Sequence, residues 1–177
     1  MKKLWNEPVV KFLSFGFLLY ISWFALYEWW IHPAQWADKL IINNTLGLSQ
    51  KILGWMGYLT EIPEERWIRI EGTPGLFLGD SCNGISLFAL FGIFIVAFPG
   101  KIVSKFFFIP AGILLIHFLN VLRVVALSII MTYSYSMTEF NHTYTFTILI
   151  YACIFLMWLY WINKYSALKK GLSSDPR

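Results

Sequence analysis

At 177 residues, with 58% of them hydrophobic and only 14% charged, the chain is far more apolar than a soluble domain, in which charged residues alone make up about a quarter. A formal net charge of +4 could suit nucleic acid in a soluble protein, but the basic residues here are dispersed between apolar segments and read as topology signals, so no nucleic-acid partner is expected. Two cysteines, without a CxxC pair or zinc-ligand spacing, do not indicate a disulfide framework and leave a reactive thiol open.

Hydropathy predicts an all-α integral membrane protein: one membrane domain over residues 1–163 and a cytoplasmic tail over 164–177. A helix needs about 20 mostly apolar residues to cross the hydrocarbon core. Four stretches approach that length, at about 9–31, 81–98, 106–132 and 145–163. The first carries Lys11 near its start and Glu28 near its end; it is too long and too aromatic for a cleaved leader and is expected to remain as an anchor. Pro99-Gly100 closes the second, and the third tolerates Pro110 in its first turns.

An even number of spans places both termini and the turn after residue 98 on one side. That side holds Lys2, Lys3, Lys11, Lys101, Lys105, Lys164, Lys169, Lys170 and Arg177, opposed by Glu7 and Asp175, so the positive-inside rule makes it cytoplasmic; the membrane expected is a prokaryotic cytoplasmic one. The connection over 32–80 is richer in acid and is expected outside. Within it, Leu40, Ile41, Leu48, Ile52, Trp55 and Leu59 give a loose amphipathic pattern, interrupted near Asn43-Asn44 and Gly47, which predicts one or two interfacial helices. Alternation from Trp67 to Glu71, a turn at Thr73-Pro74-Gly75 and the run Leu76-Phe77-Leu78 predict a short β-hairpin on the outer side that delivers the chain to Cys82.

Depth arithmetic then draws attention to three residues. Arg123 lies about 25 Å along the third span, near its outer face, at a helical rise of about 1.5 Å per residue. Cys82 opens the second span from the same side, and His142 falls in the short outer loop before the fourth. An intramembrane arginine is costly and needs partners, and Asn120, one turn earlier on the same face, could bond or orient it. Cys82 sits in Gly79-Asp80-Ser81-Cys82-Asn83-Gly84 at a helix start, where a nearby cation and the helix N-terminus both favour a thiolate; Asp80 or Ser81 would serve as N-cap. His142 is a candidate general acid or base. Cys153, deep in the fourth span, reads as packing, His117 as a packing or polar-network residue, and His32 as interfacial. Without HExxH or an equivalent pattern, neither a catalytic metal nor another cofactor is expected. On the residues alone, Arg123 snorkelling to the interface and Cys82 as an ordinary residue of a cap remain alternatives.

The runs Ser81-Cys82-Asn83-Gly84-Ile85, Asn120-Val121-Leu122-Arg123-Val124 and Asn141-His142 before a final aromatic-rich span resemble the exosortase/archaeosortase family in order and spacing, over about residues 76–165. The resemblance implies a membrane cysteine peptidase and transpeptidase that cuts the C-terminal sorting signal of an exported protein and passes the new end to a lipid or glycan amine acceptor. It implies Cys82 as nucleophile, His142 as proton shuttle and Arg123 as the stabiliser of thiolate or oxyanion, with Asn120, Asn83 and Asp80 in support. Where many members carry Cys-Ser-Gly, this chain has Cys82-Asn83-Gly84, and with four spans it resembles a compact version. The competing readings are a non-enzymatic subunit of a membrane complex, in which Arg123 and Asn120 form a structural polar network, and a small transporter, which the uncharged second and fourth spans disfavour.

Overall fold

The structure, a computed structural model, describes residues 8–165, so Lys2, Lys3, Glu7 and the predicted tail from residue 166 onward lie outside the described residues. Helix α1 (Pro8–Leu26) runs through a π-helical turn at Tyr27–Ile31 into the single turn of α2 (His32–Ala34). Gln35, in the left-handed region at φ 59°, ends that rod and starts α3 (Trp36–Trp55). Three strands follow, β1 (Thr60–Glu61), β2 (Trp67–Ile70) and β3 (Leu76–Phe77), then a 3-10 turn at Asp80–Cys82 and α4 (Ile85–Ala97). The last described elements are α5 (Ile102–Tyr133), α6 (Tyr135–Phe140), a π-helical turn at Asn141–Thr145 and α7 (Phe146–Tyr165).

Among the described residues, three helices are long and apolar enough to cross a membrane: Val10–Ala34, Ile102–Tyr133 and Tyr135–Tyr165. The predicted second span differs. Only Ile85–Ala97 is α-helical there, 13 residues, a rise of about 20 Å against a hydrocarbon core of about 30 Å. Its start is set by Gly84, whose φ of 85° cannot continue a helix, and its end by Phe98, which is extended ahead of Pro99. In α5 the helix begins at Ile102, before the expected start, so Pro110 falls inside it rather than in its first turns.

Helix α3 is one unbroken element, not two interfacial pieces. Asn43, Asn44 and Gly47 are weak helix formers, but packing against α5 overrides propensity. The buried stripe is Asp38, Ile42, Leu46, Ser49 and Leu53, at spacings of three and four. Of the apolar positions expected to face the membrane surface, Leu40, Leu48 and Trp55, with Leu59 beyond the helix, are exposed, while Ile41 and Ile52 are half-buried. The predicted hairpin is present, with β2 and β3 antiparallel and Trp67 opposite Phe77, Ile68 opposite Leu76. Strand β1, which alternation did not reveal, pairs with the other edge of β2, giving the order β1-β2-β3.

Two apolar clusters are strung along α5. One joins Phe91 and Ile95 of α4, Ile116 of α5 and Ile150, Ile154 and Trp161 of α7. The other joins Ile42, Leu46 and Leu53 of α3, Ile68 and Ile70 of β2, Leu78, and Val124 and Val125 of α5. Asn120 and Arg123 fall on α5 at the junction between them.

Candidate functional site

Cys82 is presented by a turn. Its backbone N–H donates to the Gly79 carbonyl at 2.9 Å, closing the 3-10 turn. Asn83 Oδ1 then accepts from the Ile85 N–H at 2.8 Å, satisfying one of the orphan donors at the start of α4. The same side chain donates through Nδ2 to Asp38 Oδ1 on α3. Asn120 does not bond Arg123, as its one-turn spacing suggested; its Nδ2 donates to the Cys82 carbonyl at 2.9 Å. The turn is therefore held by α3 through Asp38 and by α5 through Asn120.

Asp80 is not an N-cap: Gly84 occupies the cap position of α4, and Gly79 that of the 3-10 turn. Arg66 Nη1 donates to Asp80 Oδ1 at 2.6 Å while its Nη2 reaches Gln35 Oε1 at 2.9 Å, tying the turn to the hairpin and to the α2–α3 junction. Asp38 itself is fully buried and accepts from the Tyr27 hydroxyl at 2.7 Å, with His32 Nδ1 3.4 Å from its second oxygen. Sequence reasoning missed Asp38 and Tyr27, because an aspartate in a first helical turn is an ordinary partner of the helix dipole.

His142 lies in a helix rather than a loop. Ser134 is extended and its Oγ accepts from the Met137 N–H, so the chain turns once and starts α6 at the next residue. α6 and α7 are continuous through the wide turn at Asn141–Thr145. Such π-helical turns recur at functional sites. Here the His142 carbonyl accepts from Arg123 Nη2 at 3.1 Å and from Thr147 Oγ1 at 3.3 Å, while its Nε2 stands 3.1 Å from Cys82 Sγ.

Cys82, Arg123 and His142 line one cavity of about 290 Å³ with Ser86, Thr147 and Tyr151. α5 continues ten residues past Arg123 to Tyr133, so the Arg123 Cα lies about 15 Å short of the helix end. A thiol and an imidazole at hydrogen-bond separation can exchange a proton and so yield a nucleophilic thiolate, and an adjacent guanidinium favours that anion.

The remaining candidates separate cleanly. Cys153 is half-buried on α7 beside Gly112, Leu115 and Met157, away from the cavity. His117 pairs with Asn44 Oδ1 at 2.8 Å. Among the described residues, one group has the spacing to hold a metal ion, His32 with Asp38 and Asp80. Tyr27 and Asn83 already donate to Asp38 there, and Arg66 to Asp80. Compared with protein-family models, curated proteins and solved structures, the chain matches none.

Proposed function

We propose that the protein is an integral membrane cysteine peptidase, of the exosortase/archaeosortase kind that its three motifs resemble, which cleaves the C-terminal sorting signal of exported proteins and transfers the new end to an acceptor amine. The observation that carries this reading is the 3.1 Å approach of Cys82 Sγ and His142 Nε2. In the reaction, the Cys82 thiolate attacks the scissile carbonyl, Arg123 faces the developing negative charge, and the C–N bond breaks as His142 protonates the departing amine. The thioester that results is released by an amine, giving a new amide, or by water, giving hydrolysis; either restores the thiol.

Membrane residence is supported by the three long apolar helices and by large side chains exposed along them, among them Phe17, Leu18, Phe106, Phe107, Ile148 and Leu156. Trp29, Trp30, Trp36 and Trp55 are exposed near the α1–α3 corner and along α3, where an aromatic belt at the headgroup level would lie. The charge bias of the sequence puts Lys101 and Lys105 on the cytoplasmic side and the thiol on the outer half of the membrane. A substrate with its own apolar helix would then lie beside the bundle with its cleavage motif level with Cys82.

The test is replacement of Cys82 by Ala, with Cys153→Ala as control, in cells making an exported protein tagged beyond its sorting signal. Loss of processing in the first variant alone is the expected result. Normal processing by the Cys82 variant overturns the reading.

A further inference from the structure

His142 also borders a second cavity, of about 240 Å³, which shares no other lining residue with the first. Besides His142 it is lined by Trp67, Gly75, Leu76 and Phe77 of the hairpin, Met131 of α5, and Tyr135, Thr138 and Glu139 of α6. Consecutive strand residues point to opposite faces of a sheet, so a cavity touched by Leu76 as well as by the cross-strand pair Trp67 and Phe77 extends from the face that this pair shares to the free edge of β3. That edge is the outer one of the sheet, and no described strand pairs with it.

The ladder shows which groups it offers. Leu78 N–H donates to the Arg66 carbonyl at 2.8 Å. In an antiparallel pair, hydrogen-bonded and non-hydrogen-bonded positions alternate, so Phe77, opposite Trp67, turns its N–H and C=O away from β2 and toward the cavity. We propose that this edge binds the substrate backbone: an extended acyl-side segment adds as a fourth strand between β3 and α6, exchanges hydrogen bonds with Phe77 and passes His142 to reach Cys82. The leaving side of the scissile bond then occupies the first cavity, beside Tyr151. Continuity through His142 joins the edge to the thiol, and backbone pairing accepts peptides of many sequences, with side chains selected only at alternate positions. The inference rests on the peptidase reading of Cys82.

The probe is acetyl-tetraalanyl chloromethyl ketone, applied to the full-length Cys153→Ala protein in membranes. Cys82 sulfur displaces chloride from the CH₂ carbon, forming the C–S bond, and labelling is read by intact mass. N-methylation of the amide facing Phe77 should slow labelling about tenfold, the loss of an exchanged backbone pair, while methylation one residue away should not. Phe77→Pro should slow the ketone about tenfold and leave iodoacetamide labelling of Cys82 unchanged; Phe77→Ala, which keeps the N–H, should preserve the alternation. Equal rates for all methylated peptides, or labelling by iodoacetamide and not by the ketone, would overturn edge binding while leaving a reactive Cys82. A Cys82 inert to both reagents would overturn the proposed function and this inference with it.

Discussion

Cys82 Sγ and His142 Nε2 stand 3.1 Å apart across 60 residues of chain, and neither side chain reaches that place by its own element alone. The thiol is carried on a turn pinned to α3 and α5, and the imidazole on a π-helical turn whose carbonyl is gripped by Arg123. Each of these supports can be removed separately.

Replacing His142 by Ala should leave the fold intact, since the side chain is only half-buried, and should slow processing roughly 10²–10⁴-fold, the range for loss of a general acid–base. Iodoacetamide labelling of Cys82 at neutral pH should slow as well. Unchanged rates in both assays would remove His142 from the chemistry.

Arg123 both faces the thiol and holds the His142 carbonyl. Arg123→Gln should reduce turnover roughly 10²–10³-fold, as for loss of a donor to a developing oxyanion. Arg123→Lys should recover only part of this, because a point charge on a flexible stem cannot serve both partners in the guanidinium geometry. Full recovery with Lys would mean that charge alone matters.

Asp38→Ala orphans the buried donors of Tyr27 and Asn83 and should cost about 2–4 kcal/mol. Asp38→Asn keeps an acceptor oxygen and should cost less. Thermal unfolding in detergent measures the stability loss, and processing should fall in parallel because the Cys82 turn loses its anchor on α3.

Two glycines predict opposite outcomes. A Cβ at Gly112 would run into the Phe91 ring, so Gly112→Ala should lower stability by about 1–3 kcal/mol with labelling of Cys82 retained. Gly84 has φ 85° directly after Asn83, with the Asn120 amide close to where a Cβ would stand, so Gly84→Ala should disturb the turn and suppress labelling. Comparing alkylation rates with unfolding temperatures for the two variants separates these effects.

Much of the helical layout was legible because hydropathy needs no partner: a long apolar run has few alternatives to a helix, and the strand alternation at Trp67–Ile70 announced its hairpin. The failures have a common cause. The loose amphipathic pattern of α3 gave no sign that Asp38 and Ser49 would be buried, because that depends on partners in distant segments. His142 looked like a loop residue because Thr138 to Thr143 is polar, yet Ser134 restarts the helix immediately. Asn120 matched Arg123 by spacing but turned to the Cys82 carbonyl, a choice that depends on a turn 38 residues away.

The sequence by itself determined the apolar helices, the hairpin, the charge bias and the short set of reactive side chains, since each follows from local composition and period. Only the tertiary structure decided that Asp38 anchors the thiol turn through Asn83, that Asn120 turns to the Cys82 carbonyl, and that Arg123 meets His142 through its carbonyl. Those outcomes depend on hydrogen-bond partners brought together from distant segments, because a buried donor or acceptor must be satisfied wherever the fold leaves it, and no local pattern in the chain encodes that meeting.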